Sequence, residues 1–252
     1  MPRFDHLTET TGTPASREGI DMLYTRYAYG RDLAKGRRVL ELACGSGQGL
    51  SLLSRSADMI VGADIDANLI NAAAQSYGSR FPLVRLSAQY LPFAANSFAL
   101  VLLLEASYYL PDADAAFAEV KRILAPGGMF LVVNANPERP DFIRSPQAVH
   151  YHTADDFRAA LGKGFKVTVE AAFPLERSRL STVKSALRKT LSALGLVPRS
   201  LKARALLKRF AYGRLTPLPA QIPDGFGRAH PRYPLKQGPV SDYKVLYVTA
   251  VK

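Results

Sequence analysis

The run Val39-Leu40-Glu41-Leu42-Ala43-Cys44-Gly45-Ser46-Gly47-Gln48-Gly49 constrains this chain more than any other. A short apolar strand carrying one acidic residue leads straight into a glycine turn. Leu50, Leu52 and Leu53 then start a helix that reaches about Arg55. Glycines at such a turn let a ligand approach the backbone with no Cβ in the way. The helix start offers unpaired N–H groups to an anion. Nineteen residues after Gly45, Asp64 ends a second apolar run, where a carboxylate can accept both hydroxyls of a ribose. Spacing then separates the candidate ligands. A redox dinucleotide turn needs G-x-G-x-x-G, but the third position is Leu50 counted from Gly45 and Leu52 counted from Gly47. A phosphate-binding P-loop fails too, because no Gly-Lys-Ser/Thr follows.

The rest of the pattern alternates strands with helices. After the strand at 38–43 come apolar runs at 59–64, 81–86 and 98–104, the last apolar throughout and so suited to burial on both faces. A helix with Leu69, Ile70 and Ala73 on one face covers 67–77. Another opens at Pro111-Asp112, buries Ala116, Phe117, Val120 and Leu124, and stops at Ala125-Pro126-Gly127-Gly128. A fifth strand follows at 129–133. Thr153 reads as a helix cap, and 165–173 and 243–251 read as the sixth and seventh strands. This order predicts an α/β fold with a mostly parallel sheet and right-handed crossovers. The expected divisions are an N-terminal helical cap at 1–36, a core at 37–173, an insertion at 174–241 and a last core strand at 242–252. Within the insertion, Leu180, Val183, Leu187, Leu191 and Leu194 have helical spacing, a second helix carries Ala203, Leu206, Leu207 and Phe210, and 216–239 reads as an irregular wrap.

Four segments, taken in order, resemble the class I S-adenosylmethionine (SAM) dependent methyltransferases of small-molecule, glycan and lipid type. Residues 41–49 are similar to their first motif and 61–66 to their second. Leu91-Pro92-Phe93 through Ser97-Phe98 resembles the approach to their fourth strand, and Leu124-Ala125-Pro126-Gly127-Gly128 the turn before their fifth. The resemblance implies a Rossmann-like seven-stranded sheet with an antiparallel last strand and helices on both faces. The helical insertion then lies between strands six and seven. It implies SAM as cofactor, bound around Ala43, Gly45 and Gly47, with Glu41 ordering the loop. Asp64 is then expected on the ribose and Ile65 on the adenine, while Leu104 and Glu105 face the methionine and the methyl group. Where many relatives have an Asp after strand three, this chain has Ser87, Ala88 and Gln89. Adenine recognition is therefore either weaker there or shifted to the Ala88 backbone and Gln89. Tyr24-Thr25-Arg26-Tyr27 resembles an element in glycan-modifying members, which implies that Arg26 pairs with the SAM carboxylate.

A hydroxyl acceptor needs a base near the transition state, whereas an amine need only be uncharged. Bases are expected on the loops at 105–109 and 134–152, and His152, just before the Thr153 cap, is the single catalytic choice. Glu105-Ala106-Ser107-Tyr108 lacks the Pro-Pro-aromatic element of enzymes that methylate nucleobase amines. The lone cysteine, Cys44, excludes a disulfide framework and a multi-cysteine metal site, and is expected to be a small buried residue. No metal is expected.

Net charge is +12, and eleven Lys/Arg with no Asp/Glu fall between Arg177 and Arg214, which leaves the rest of the chain at +1. Such a run suits an anionic membrane or a phosphate-bearing acceptor beneath a lid. The expected function is methyl transfer to a small-molecule, sugar or lipid-linked acceptor, at oxygen. The alternatives are an RNA methyltransferase using the basic run and a non-catalytic SAM-binding regulator. Nucleic acid fits less well, because only Phe210 and Tyr212 offer stacking surfaces in the run. No apolar run approaches the roughly 18–20 residues of a membrane span. The opening residues lack a signal-peptide core. The expected address is the cytoplasm, with a peripheral position at the inner membrane surface if the basic run meets lipid.

Overall fold

The computed structural model describes residues 9–175 and 215–252. The helices expected at 180–194 and 203–210, with the whole of the basic run, lie outside the described residues. In chain order the elements are β1 (Pro14–Ala15), α1 (Arg17–Leu33), β2 (Arg38–Leu42), α2 (Leu50–Leu53), β3 (Met59–Asp64), α3 (Ala67–Tyr77), β4 (Leu83–Arg85), β5 (Phe98–Leu104), α4 (Ala113–Ile123), β6 (Leu124–Ala135), α5 (Ala154–Gly162), β7 (Lys166–Pro174), β8 (Thr216–Pro217), β9 (Tyr233–Pro234) and β10 (Tyr243–Val251). One sheet has the order β4-β3-β2-β5-β6-β10-β7-β9. From β4 to β6 the strands are parallel, and β10 runs antiparallel between β6 and β7. The seven expected strands are therefore all present in a Rossmann-like arrangement. The eighth, β9, pairs only Tyr233 and Pro234 with β7. Its proline removes a ladder donor, which confines it to a short stretch at the edge.

Side chains along the central strands alternate between two cores. On β5, Leu100, Leu102 and Leu104 face a core completed by α1, α2 and Tyr77 of α3, with Leu131, Val133 and Tyr247 beside them. Val101 and Leu103 face the other core, built with Phe117, Val120 and Ile123 of α4 and Phe157 of α5. This two-sided burial is why 98–104 carries no polar residue. Each fully buried Leu or Val contributes about 1.5–3 kcal/mol.

Helix termini follow the chain's own signals. The Ser16 side chain accepts from Gly19 N–H at the start of α1, and Asp112 accepts from Ala115 N–H at the start of α4. Thr153 and Asp156 form a reciprocal capping box on α5. The Leu91-Pro92-Phe93 segment is fastened to α4, where the Arg122 guanidinium donates to the Phe93 and Leu91 carbonyls at 2.8 Å each.

Three boundaries differ from the sequence reading. The third strand shortens to Leu83–Arg85 and the helix after the glycine turn to a single turn, Leu50–Leu53. β6 begins at Leu124, so the Ala125–Gly128 turn is absorbed as an irregularity in the β5–β6 register. The described half of the insertion packs against the N-terminal region. β8 pairs with β1, Gly12 N–H donates to the Leu218 carbonyl at 2.8 Å, and Tyr24 Oη donates to Asp224 at 2.7 Å. Between Thr216 and Pro239 the regular structure is limited to the two-residue strands β8 and β9. Among the described residues, no helix is long and apolar enough to cross a membrane.

Candidate active site

At the carboxyl ends of the parallel strands lies a cavity of about 400 Å³, within the range of small-molecule sites. Its floor is the glycine turn. Ala43 and Gly45 take left-handed backbone angles, φ +54° and +57°, and a Cβ on Gly45 would meet open space. The turn is pinned from β3: Asp64 accepts from Gly45 N–H and from Asp66 N–H, each at 2.9 Å. Burial raises the Asp64 pKa, while those N–H donors pull it down.

Behind the turn the packing is tight. A Cβ on Gly47 would come within 3.1 Å of Ala73, Leu50 and Tyr77. A Cβ on Gly49 would overlap the Tyr27 ring at 1.8 Å. Tyr27 Oη in turn donates to Glu41 Oε1 at 2.8 Å, so the acidic residue of β2 is held beneath the turn. Burial pushes Glu41 up to about 7, against the Tyr27 hydrogen bond and the Arg26 charge. Cys44 is buried, and that burial lifts its thiol pKa well above the ordinary value, so it is an inert packing residue.

Arg26, on α1, is buried in the cavity wall and makes an ion pair with Glu9. Burial works against its charge, but the carboxylates of Glu9 and Glu105 outweigh that and raise its pKa. Glu105 has a left-handed backbone, φ +53°, immediately after β5. Its Oε2 accepts from Tyr108 Oη at 3.1 Å and from Ala135 N–H at 3.2 Å. Burial pushes its pKa up to about 7, with Arg26 pulling it down and Glu9 pushing it up. Tyr108 stacks on Tyr151 with centroids 4.4 Å apart, and Tyr109 meets Tyr108 edge-on at 4.5 Å. Over the turn runs residues 9–13: Thr11 Oγ1 shares a hydrogen bond with Ser46 Oγ at 3.3 Å.

Of the residues singled out by sequence, Arg26, Ala43, Gly45, Asp64, Ile65, Ser87, Ala88, Gln89 and Leu104 all line the cavity. Glu41 and Gly47 stand behind the wall and shape the turn. The one-turn α2 also removes most of the expected pull of a helix start on an anion, which leaves charge recognition to side chains. His152 is corrected: it does not line the cavity. Its ring stacks on Phe157 at 5.0 Å and lies 6.0 Å from Phe117, and burial together with His150 lowers its pKa. The residue before the α5 cap turns inward onto the α4–α5 aromatics, not toward the strand ends. None of residues 215–241 lines the cavity. Glu9 and Leu110 line it without having been singled out, and Tyr109 and Ala135 line it from the two loops expected to border the acceptor. Glu9 is brought there by the fold, through the pairing of β1 with β8.

Comparison with known proteins bears on the family and on the fold. Residues 40–132 match a family described as a methyltransferase domain. Over 106 residues the chain is 38% identical to a fatty-acid O-methyltransferase of Mycolicibacterium smegmatis, covering 41% of this chain and 39% of the relative. Over 139 residues it is 36% identical to phthiotriol/phenolphthiotriol dimycocerosates methyltransferase 1 of Mycobacterium ulcerans, covering 54% and 50%. The chain spans half or less of the length of these curated relatives. A solved SAM-dependent methyltransferase from Archaeoglobus fulgidus shares the fold, with a TM-score of 0.60, 16% identity, and coverage of 94% of this chain and 95% of that one. Residues 40–132 therefore carry the sequence pattern of a methyltransferase domain, on a fold shared with SAM-dependent methyltransferases. Its β2–turn–β3 unit is the part that the family match and the cavity floor have in common.

Proposed function

We propose that this chain transfers a methyl group from SAM to a lipid or other small-molecule acceptor, at oxygen. The observation that carries the reading is the cavity floor, a Cβ-free turn at Gly45 fastened to the Asp64 carboxylate. That floor fits the donor. Gly45 leaves room against the backbone, Asp64 keeps lone pairs for ribose hydroxyls, and Ile65 and Leu86 offer apolar surface to a base. Arg26 is the buried cation available to a carboxylate on the donor's methionyl part. Bound SAM supplies an electrophilic methyl group on a sulfonium. The protein's share of the reaction is to hold the acceptor in line with that group at ~3–3.5 Å and to keep water out.

The acceptor class is supported by the apolar wall Tyr108-Tyr109-Leu110-Pro111 and by the names of the relatives, two of which act on lipid-type molecules. The basic run at 177–214 supports contact with an anionic lipid surface, tested by salt-sensitive flotation with anionic liposomes. Calorimetry with S-adenosylhomocysteine (SAH) tests the donor: the reading requires SAH to bind and NAD to give no heat. A heat signal from NAD with none from SAH would overturn it.

A further inference from the structure

Resting on that methyl-transfer reading, we propose that the acceptor is a neutral hydroxyl and not a carboxylate, and that Glu105 takes its proton. The first support is the charge lining the cavity. Glu9, Asp64 and Glu105 are acidic, and among the described residues Arg26 is the sole basic side chain there. Arg26 is already engaged by Glu9 and lies in the field of Glu105. An acceptor carboxylate would enter beside Glu105 with no free cation to match it. An unmatched buried charge is among the most costly arrangements a site can hold. A hydroxyl brings no such charge.

The second support is the aim of Glu105. Both of its protein hydrogen bonds, from Tyr108 Oη and Ala135 N–H, fall on Oε2. Oε1 has no hydrogen-bond partner among the described residues, and the side chain lines the cavity. The left-handed backbone at Glu105 and the stacked Tyr108–Tyr151 pair fix this orientation. One oxygen is thus anchored and the other is left to accept.

The third support is the surroundings of the carboxylate. Arg26 faces it from α1, Glu9 from the segment over the turn, Tyr108 and Tyr109 from its own loop, Tyr151 from the loop before α5, and Tyr247 from β10. Burial outweighs the single guanidinium and holds the pKa at about 7, which suits a base working near neutrality. The step balances. The acceptor oxygen's lone pair forms the C–O bond as the S–CH3 bond breaks with its electron pair passing to sulfur. The hydroxyl proton passes to Glu105 Oε1. A carboxylate acceptor has no proton to give and would leave Glu105 without a task.

The test uses the full chain with methyl-labelled SAM and three probes of equal chain length: dodecanol, a dodecylphenol and dodecanoic acid. The wild type is expected to methylate the alcohol or the phenol, with kcat/KM rising through pH about 7. Glu105→Gln is expected to lower that kcat at least ~100-fold and abolish the pH limb. Its KM and its SAH affinity by calorimetry should stay within about threefold. The wild-type probe preference and pH profile need no variant, so they stand even if Glu105→Gln folds poorly. Methylation of dodecanoic acid in preference to both hydroxyl probes would overturn the proposal, as would hydroxyl turnover retained in a folded Glu105→Gln. A wild type that binds SAH and methylates none of the three overturns it as well. In each of those cases SAH binding survives, whereas absence of SAH binding to the wild type sinks the donor assignment itself.

Discussion

At the donor end of the cavity, Gly45, Asp64 and Ile65 come from a single stretch, β2 through the end of β3. At the acceptor end, Glu9, Glu105, Tyr108 and Ala135 come from three distant stretches that meet only in the folded chain. The donor end is made of backbone: left-handed angles, close Cα approaches, and N–H groups pinned to one carboxylate. The acceptor end is made of side chains: one cation between two carboxylates, and rings stacked on rings. A backbone site tolerates few residue types at each position, whereas a side-chain site can be rebuilt with other residues. The first arrangement suits a constant ligand and the second an acceptor that differs between relatives.

The largest effect expected from breaking this contrast is at Asp64. Its carboxylate pins the Gly45 turn and is assigned to the ribose, so Asp64→Ala removes both. Losing charged hydrogen bonds on this scale costs about 2.7 kcal/mol, or roughly 100-fold in SAH affinity by calorimetry. The acceptor end should be spared: with donor at saturation, the preference among the three probe acceptors stays as in the wild type. A shifted preference would mean that the two ends are one unit.

What could be read in the sequence follows the same division. Val39 to Gly49 announced the turn because Gly45 and Gly47 take left-handed angles that favour glycine, and that preference is written at the positions themselves. The apolar run at 98–104 announced two-sided burial for a similar reason: each residue alone reports its surroundings. Glu9 carried no such mark. It matters only because β1 pairs with β8 and brings the segment over Ser46, a contact between positions about two hundred residues apart. His152 shows the converse. Its place in a loop after β6 located it near the correct edge, but nothing in the string says whether a ring turns outward or stacks on Phe157. β9 was missed because two residues, one of them proline, leave no period to read.

An effect on stability, and not on binding, separates the two buried carboxylates. Glu41, beneath the turn, and Glu105, in the cavity wall, both sit at about 7 because burial favours the neutral acid. The unfolded chain releases these protons near the ordinary value of 4.5, so between there and about 7 the folded chain binds more protons. Their contribution to stability is complete below about 4.5 and is lost as pH rises through about 7. Each shift corresponds to something on the order of 3 kcal/mol. Glu41→Gln removes one share, so in denaturant titrations at several pH values its decline with pH should be shallower than that of the wild type by that order. The hydroxyl pH–rate limb should remain in Glu41→Gln, because Glu105 is untouched. Loss of the limb would assign the titration to the turn and away from the acceptor end.

The smallest expected effect lies at the join between the two ends. Glu9 neutralises Arg26, the same guanidinium assigned to the donor's carboxylate. Two carboxylates then compete for one buried cation, and donor binding must displace Glu9 or share the charge. The Glu9 side chain is partly exposed, 38% against 6% for Arg26, so solvent weakens the pair from the Glu9 side and makes displacement affordable. Glu9→Gln removes the competing charge and should tighten SAH by about three- to tenfold, roughly 1 kcal/mol. Methylthioadenosine keeps the adenosyl part but has no carboxylate, so its affinity should not change. Arg26→Met gives the opposite pattern, weakening SAH while sparing methylthioadenosine. If Glu9→Gln instead weakens SAH, Glu9 is a ligand of the donor's ammonium and not a rival of its carboxylate, and the segment over Ser46 belongs to the donor end after all.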